Sequence, residues 1–162
     1  MVARVLLTFI VVLLSTQLSA ATLFTADVPV TSQTTSERKQ ALASAMASVL
    51  IKVSGDDAAP ISKEGAQAIK NARRYLLQYR YDTASDDLVE QGFPLVLRAK
   101  FDEGKVSELL KQSELGLWPD NRPQTLLWVI VDTIDQGRAV LTSEPNPLVA
   151  GLLSRADQRG LP

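Results

Sequence analysis

The clearest helical pattern in the chain lies between residues 38 and 53, where apolar positions recur at helical spacing and polar positions occupy the opposite face. Thr34 and Glu37 match a capping box, in which the threonine hydroxyl accepts a first-turn N–H while the glutamate reaches back to the cap. Gly55 stands where a left-handed C-terminal cap belongs. The pattern predicts a helix with one buried face, formed by Leu42, Ala45, Met46, Val49, Leu50 and Val53.

Alternation of apolar and polar residues with a period of two predicts the strands. Residues 76–81 and 94–101 both alternate, and the polar connector 82–92 makes them a plausible antiparallel pair. Leu77, Tyr79 and Tyr81 share one face of the first strand, and we expect both tyrosines to pack on the helices. An earlier strand is predicted over residues 23–30, with Pro29 favouring a position at the sheet edge.

Two shorter helices complete this part of the chain, over residues 62–74 and 103–112. We expect the first to bury a stripe made of Ile61, Gly65, Ala68, Ile69 and Ala72. The element order is then βααββαβ or close to it. It predicts an α+β fold in which helices pack on one face of an antiparallel or mixed sheet.

The last third of the chain has a different pattern. Residues 118–124 are dense in turn formers and predict a linker after a domain of residues 22–117. Residues 125–131 form a continuous apolar run, which is typical of a strand buried on both faces in a parallel sheet. A short strand at 139–141 and a helix at 145–158 follow, with Leu148, Leu152 and Ala156 expected to face inward. We therefore expect residues 125–162 to begin a second α/β unit that is cut short.

The first 21 residues predict a secretory signal peptide. A start containing Arg4 precedes an apolar core of ten residues, 5–14, in which Thr8 is the one polar residue, and small residues follow at Ser19 and Ala21. The apolar run is too short for a spanning helix, which needs about 20 residues. We expect cleavage after Ala21, export to the periplasm or the exterior, and no stable membrane anchor afterwards.

The amino-acid composition excludes several kinds of catalytic and metal site. The chain has no Cys and no His, so it cannot form a Cys/His zinc site or a nucleophile system that depends on His. Its net charge is −1, without the basic surplus on which general nucleic-acid binding relies. We expect no metal, no cofactor and no nucleic-acid partner, and we assign no catalytic residue.

Several segments resemble a known family. They are Asp27-Val28-Pro29-Val30, the helix closing on Val53-Ser54-Gly55, and the stretch from Leu115 through residues 127–132. In these segments the chain resembles the proteobacterial family called domain of unknown function 2066. The resemblance covers nearly all of the chain after the signal peptide. It implies export, no assigned activity, and family members that run well beyond residue 162.

Carboxylates are the first candidate for chemistry. Asp132 follows the buried-strand pattern, at the end where ligands bind in open α/β sheets, with Asp135 close by. The alternative is that Asp132 only starts a turn. Ser36 and Lys39 match the Ser-x-x-Lys pattern of penicillin-recognising enzymes, but no Lys-Thr-Gly follows. We interpret that pair as a solvated first turn of the helix.

Cations and one aromatic residue are the candidates for binding. Arg80, Arg98 and Lys100 would share one face of the sheet, where they could hold an anionic glycan, a lipid headgroup or an acidic protein patch. An ordinary solvated face is the alternative. Trp118, in the linker, would either pack two domains together or anchor a partner.

These observations favour an exported envelope protein that is not an enzyme and that binds or helps to assemble a partner. The partner would be another envelope protein or an anionic envelope component. The alternative is a carboxylate-dependent hydrolase whose site is completed by residues missing at the C-terminus.

Overall fold

The computed structural model describes residues 23–113, 115–118, 122, 126–133, 137–142, 144 and 146–161. The predicted signal peptide, Asp135 and most of the predicted linker lie outside these residues. No helix among the described residues is both long enough and apolar enough to cross a membrane.

Three antiparallel strands form the main sheet, in the order β1-β3-β2. They are β1 (Thr25–Val30), β2 (Leu76–Thr83) and β3 (Leu95–Phe101). The long helix α1 spans Thr35–Ser54, and α2 spans Lys63–Lys70 between two 3-10 turns at Ala59–Ile61 and Ala72–Arg74. Two further helices are α3 (Asp86–Glu90) and α4 (Glu103–Gln112). The predicted α+β fold is confirmed, as is the antiparallel pairing of β2 with β3.

One hydrophobic core joins the sheet to its helices. The middle strand β3 contributes Leu97, Ala99 and Phe101, all essentially inaccessible to solvent. The helix α1 covers them with the face that its periodicity predicts, and α4 adds Val106 and Leu110. Because side chains alternate along a strand, Arg98 and Lys100 lie on the opposite face of the sheet, which these helices leave open.

The capping residues of α1 are placed as predicted, but Glu37 makes different bonds. The Thr34 side chain accepts from the Glu37 N–H at 3.4 Å, and the Gly55 N–H donates to the Ile51 carbonyl at 2.8 Å. The Glu37 carboxylate does not accept a hydrogen bond from the Thr34 N–H, as a capping box would require. Its carboxylate accepts from the Thr31 N–H at 2.6 Å and the Ser32 hydroxyl at 2.5 Å. The Ser32 hydrogen bond, followed by that of Thr31, lowers the pKa of Glu37.

The second predicted helix, over residues 62–74, is divided into α2 and the 3-10 turn at Ala72–Arg74, and the 3-10 turn at Ala59–Ile61 precedes it. Pro60 is the second residue of the 3-10 turn at Ala59–Ile61, and Ser62 then takes an extended conformation and caps α2 by accepting the Gly65 N–H at 3.0 Å. The expected burial of Ile61 is wrong, because this break leaves its side chain 82% exposed. Gly65 and Ala68 are buried as predicted.

A β-bulge explains a second difference. Leu76 pairs with Phe101 and Gln78 pairs with Lys100, so Leu77 is the extra residue of β2. Leu77 is therefore 60% exposed rather than turned towards the helices. Tyr81 packs against the core, whereas Tyr79 stays exposed, with the guanidinium of Arg38 from α1 at 5.8 Å from its ring centroid.

The C-terminal elements are a hairpin and a helix. The strands β4 (Ile130–Thr133) and β5 (Gly137–Val140) pair antiparallel across a short connection, and the helix α5 spans Pro147–Gln158. A connection this short allows only antiparallel pairing, so these two strands are not the parallel neighbours that we expected. The expected burial is also wrong: Ile130 is 66% exposed, and no residue of α5 is buried.

Candidate functional site

The open face of the main sheet carries an ion-pair network across all three strands. Arg98 of β3 makes two 2.7 Å hydrogen bonds to the carboxylate of Asp27 on β1. A second carboxylate, Asp82 of β2, lies 3.4 Å from Arg98 and 3.1 Å from Arg80. The bidentate bond with Asp27 raises the pKa of Arg98 above its already high ordinary value. The predicted cations therefore meet on one face, but two of them are already paired.

This pairing changes what the face can bind. Arg80 and Arg98 face each other across the β2–β3 pair, and Lys100 lies two register positions further along, opposite Gln78. An anionic ligand would have to compete with Asp27 and Asp82 for the two arginines. Sequence periodicity places the cations on one face but cannot reveal carboxylates supplied by neighbouring strands. A binding role for these cations stays a prediction.

Trp118 lies at the C-terminal end of α1. Its backbone N–H donates to the Val53 carbonyl at 2.8 Å, and its ring packs over Gly55. The guanidinium of Arg122 stacks 4.4 Å from the ring centroid and donates to the Lys52 carbonyl at 2.6 Å. The same guanidinium donates to the Gly160 carbonyl at 2.6 Å. Trp118 and Arg122 thus connect the end of α1 with the segment that follows α5.

An ion pair reinforces this connection. Asp57, just after α1, accepts a 2.5 Å hydrogen bond from Arg159 and lies 3.6 Å from Arg155 of α5. The hydrogen bond from Arg159 is the main cause that lowers the pKa of Asp57. The Trp118 ring therefore contacts the chain itself, and a partner-anchoring role for Trp118 stays a prediction.

Asp132 lies on the exposed hairpin, 3.4 Å from Arg138 on the paired strand. Glycoside hydrolysis requires an acid in an apolar pocket opposite a second carboxyl group. The Asp132 side chain is exposed and therefore does not lie in such a pocket. Among the described residues, no group of three acidic side chains could hold a metal ion. Ser36 and Lys39 lie exposed in the first turns of α1.

Sequence reasoning missed the apolar surface of the hairpin. Four residues on or just before its strands have most of their side-chain surface in solvent, and we call them the apolar strip: Leu126, Trp128, Ile130 and Val140. Ile130 and Val140 are cross-strand partners, and exposed apolar patches mark interaction sites in soluble proteins. The sequence signal was present in the continuous run of residues 125–131, but that run equally predicts a fully buried strand.

Comparison with known proteins identifies a family. A family model described as Domain of unknown function (DUF8605) matches residues 18–119, while no curated protein and no solved structure matches the chain. The resemblance to the domain of unknown function 2066 family is therefore wrong. Its motifs were a strand end, a helix cap and an apolar run, which recur in unrelated families because they follow from local backbone requirements.

Proposed function

Because the chain belongs to the family described as Domain of unknown function (DUF8605), whose description assigns no activity, we propose a function from the geometry. The protein is an exported module that is not an enzyme and that binds a partner protein through the apolar strip. The observation that carries this proposal is the exposure of Trp128 and Ile130, which are 75% and 66% accessible to solvent. Large aromatic and aliphatic side chains of this kind contribute most of the affinity at protein interfaces.

The backbone of the hairpin supports the same proposal. Among the described residues, the sheet that contains β4 and β5 has two strands, and a two-stranded sheet is marginally stable in water. The Leu141 N–H donates to the Val129 carbonyl, which makes Ile130 and Val140 a non-hydrogen-bonded pair. The N–H and C=O of Ile130 therefore point away from β5, towards the edge of β4 that pairs with no other strand in the described part of the chain. An extended segment of the partner would bond to this edge as a third strand.

The export part of the proposal depends on the pattern of residues 1–21. If the protein is exported, its partner must be an envelope or extracellular protein. An intact mass of the protein from the periplasmic fraction of its native host should correspond to a chain that starts at Thr22. A cytoplasmic protein that retains residues 1–21 would contradict export without affecting the docking surface.

Site-specific photo-crosslinking in the native host tests the docking surface. A photo-reactive amino acid at position 128 should give an adduct with a different protein, and Ile130→Arg should reduce its yield by at least about tenfold, as expected when a hot-spot contact is replaced by a charge. The matched control is Ile61→Arg, which makes the same change at an isoleucine that is 82% exposed on another surface.

Three results would overturn this docking proposal. One is the absence of any adduct at position 128. Another is an equal loss of adduct in Ile130→Arg and Ile61→Arg. The third is an adduct with a second copy of the chain, which would replace partner binding by self-association.

A further inference from the structure

A groove lies between the N-terminal half of α1 and the end of α2. Its volume is about 610 Å³, which is within the usual range of small-molecule sites. Two chain segments line it, residues 35–43 and 69–74. We call it the cationic groove after the five basic residues that line it: Arg38, Lys39, Lys70, Arg73 and Arg74.

The charge of this groove is not compensated locally. None of the described residues that line it is acidic. By contrast, a second groove of about 710 Å³, beside β1, carries both signs of charge and includes the paired Asp27 and Arg98. Four cations of the cationic groove have no ion-pair partner among the described residues: Lys39, Lys70, Arg73 and Arg74.

The fifth cation is held in place by contacts that leave its charge available. Arg38 donates to the Thr35 hydroxyl at 3.2 Å, and its guanidinium lies over the ring of Tyr79. Neither contact neutralises the guanidinium. The whole chain is nearly neutral, with a net charge of −1. The five cations that line this groove therefore form a local concentration of positive charge that the chain as a whole does not have.

Apolar side chains lie among these cations. Leu42 and Ala72 belong to the hydrophobic core, and Ile69 packs against it from the groove side. Leu42 and Ala72 are themselves buried, so a ligand seated here would meet the cations together with the partly exposed side chain of Ile69. An inorganic anion would use only the first of these, whereas a molecule with an anionic head and an apolar body would use both.

We propose that the cationic groove binds the phosphate group of an organic phosphate. Arginine forks match phosphate oxygens in a bidentate manner, and the lysines add compact charges that a phosphate can share. The same chemistry is offered by the headgroup of an anionic phospholipid and by a soluble phosphate ester. The groove lies within residues 18–119, the part that the family model matches, and shares no residue with the apolar strip.

Binding of the full chain to defined probes tests this inference and separates the two sources. Vesicles of phosphatidylglycerol, with phosphatidylcholine vesicles as the reference, present the lipid headgroup. Glycerol 3-phosphate in a calorimetric titration presents the soluble ester. The test variant is Lys39→Gln/Arg73→Gln. The matched control is Lys63→Gln/Lys111→Gln, which makes the same charge change at exposed positions that do not line the groove.

We expect the test variant to bind about thirtyfold more weakly to whichever probe the protein binds, because two cations near an anionic group are removed. The control should stay within about twofold, because long-range effects of exposed charges are largely screened. Selective binding to phosphatidylglycerol vesicles supports the proposal with a lipid as the source, and binding of glycerol 3-phosphate supports it with a soluble ester. Binding to neither probe overturns it, as does an equal loss in both variants. Thermal unfolding of each variant checks that both remain folded.

Discussion

Gly55 shows how one residue can serve both the local backbone and a long-range contact. It ends α1 with φ +73°, in the left-handed region that side chains disfavour. A Cβ atom at this position would lie 2.5 Å from a carbon of the Trp118 ring. Gly92 also has a positive φ, +91°, but a Cβ atom there would meet nothing within 4 Å. Substitutions at the two glycines therefore distinguish the cost of backbone strain from the cost of crowding against Trp118.

We predict that Gly55→Ala lowers the free energy of unfolding more than Gly92→Ala does. Both variants incur the cost of placing a side chain in the left-handed region, about 1–2 kcal/mol. Only Gly55→Ala must also displace Trp118, so we expect a further loss of about 1–3 kcal/mol, as for other overpacked sites. Urea unfolding measures both values, and equal losses would mean that the contact between Trp118 and Gly55 contributes nothing.

At the scale of elements, the main sheet has one face in the core and one face in solvent. Leu97 and Ala99 of β3 are covered by helices, while Arg98 between them joins the ion pairs of the open face. Apolar burial should therefore supply most of the stability of this sheet. The exposed ion pairs should add little, because such pairs contribute at most about 1 kcal/mol.

Two leucines on neighbouring strands test this difference. We predict that Leu97→Ala lowers the free energy of unfolding by about 2–5 kcal/mol, because the side chain is fully buried and leaves a cavity. Leu77→Ala, at the exposed bulge of β2, should change it by no more than about 0.5 kcal/mol. Chemical denaturation at neutral pH gives both values. A large effect of Leu77→Ala would show that the bulge packs against another part of the protein.

At the scale of the whole molecule, polar contacts hold α5 against the rest of the chain. No residue of α5 is buried, so the contacts of Asp57 with Arg155 and Arg159 are prominent among those that connect this helix with α1. Arg122 adds hydrogen bonds to carbonyls at both ends of this connection. Attachments of this kind weaken with salt and acid, in contrast to the apolar core.

We predict that Asp57→Asn speeds hydrogen exchange of the α5 amides by about two- to fivefold, as expected for the loss of an exposed ion pair. The control is Asp56→Asn at the adjacent exposed position, where the carboxylate caps only the Ala58 N–H. Unchanged α5 exchange in Asp57→Asn would contradict this attachment.

The pH dependence of the attachment follows from the same ion pair. Arg159 lowers the pKa of Asp57 below its ordinary value of 3.8, so folding favours the ionised carboxylate. The stabilisation is therefore complete above about pH 3.8 and is lost as the pH falls through the lowered pKa. The difference in exchange between the wild-type chain and Asp57→Asn should accordingly disappear in strong acid.

The sequence by itself determined the elements whose signals are local. Thr34 and Gly55 mark the two ends of α1, and the period-two alternation of residues 94–101 predicts β3 and its buried face. These features depend on sterics and hydrogen bonds among residues a few positions apart, which a linear pattern contains. The α+β fold followed from their order along the chain.

Only the tertiary structure decided where charges cancel and which apolar residues stay exposed. Asp27 pairs with Arg98 from 71 positions away, whereas the cations of the cationic groove meet no acid on its lining. The apolar run before Asp132 fits a buried strand as well as an exposed one, and only its surroundings separate the two. Burial and electrostatic pairing depend on neighbours brought together by folding, so no local pattern contains them.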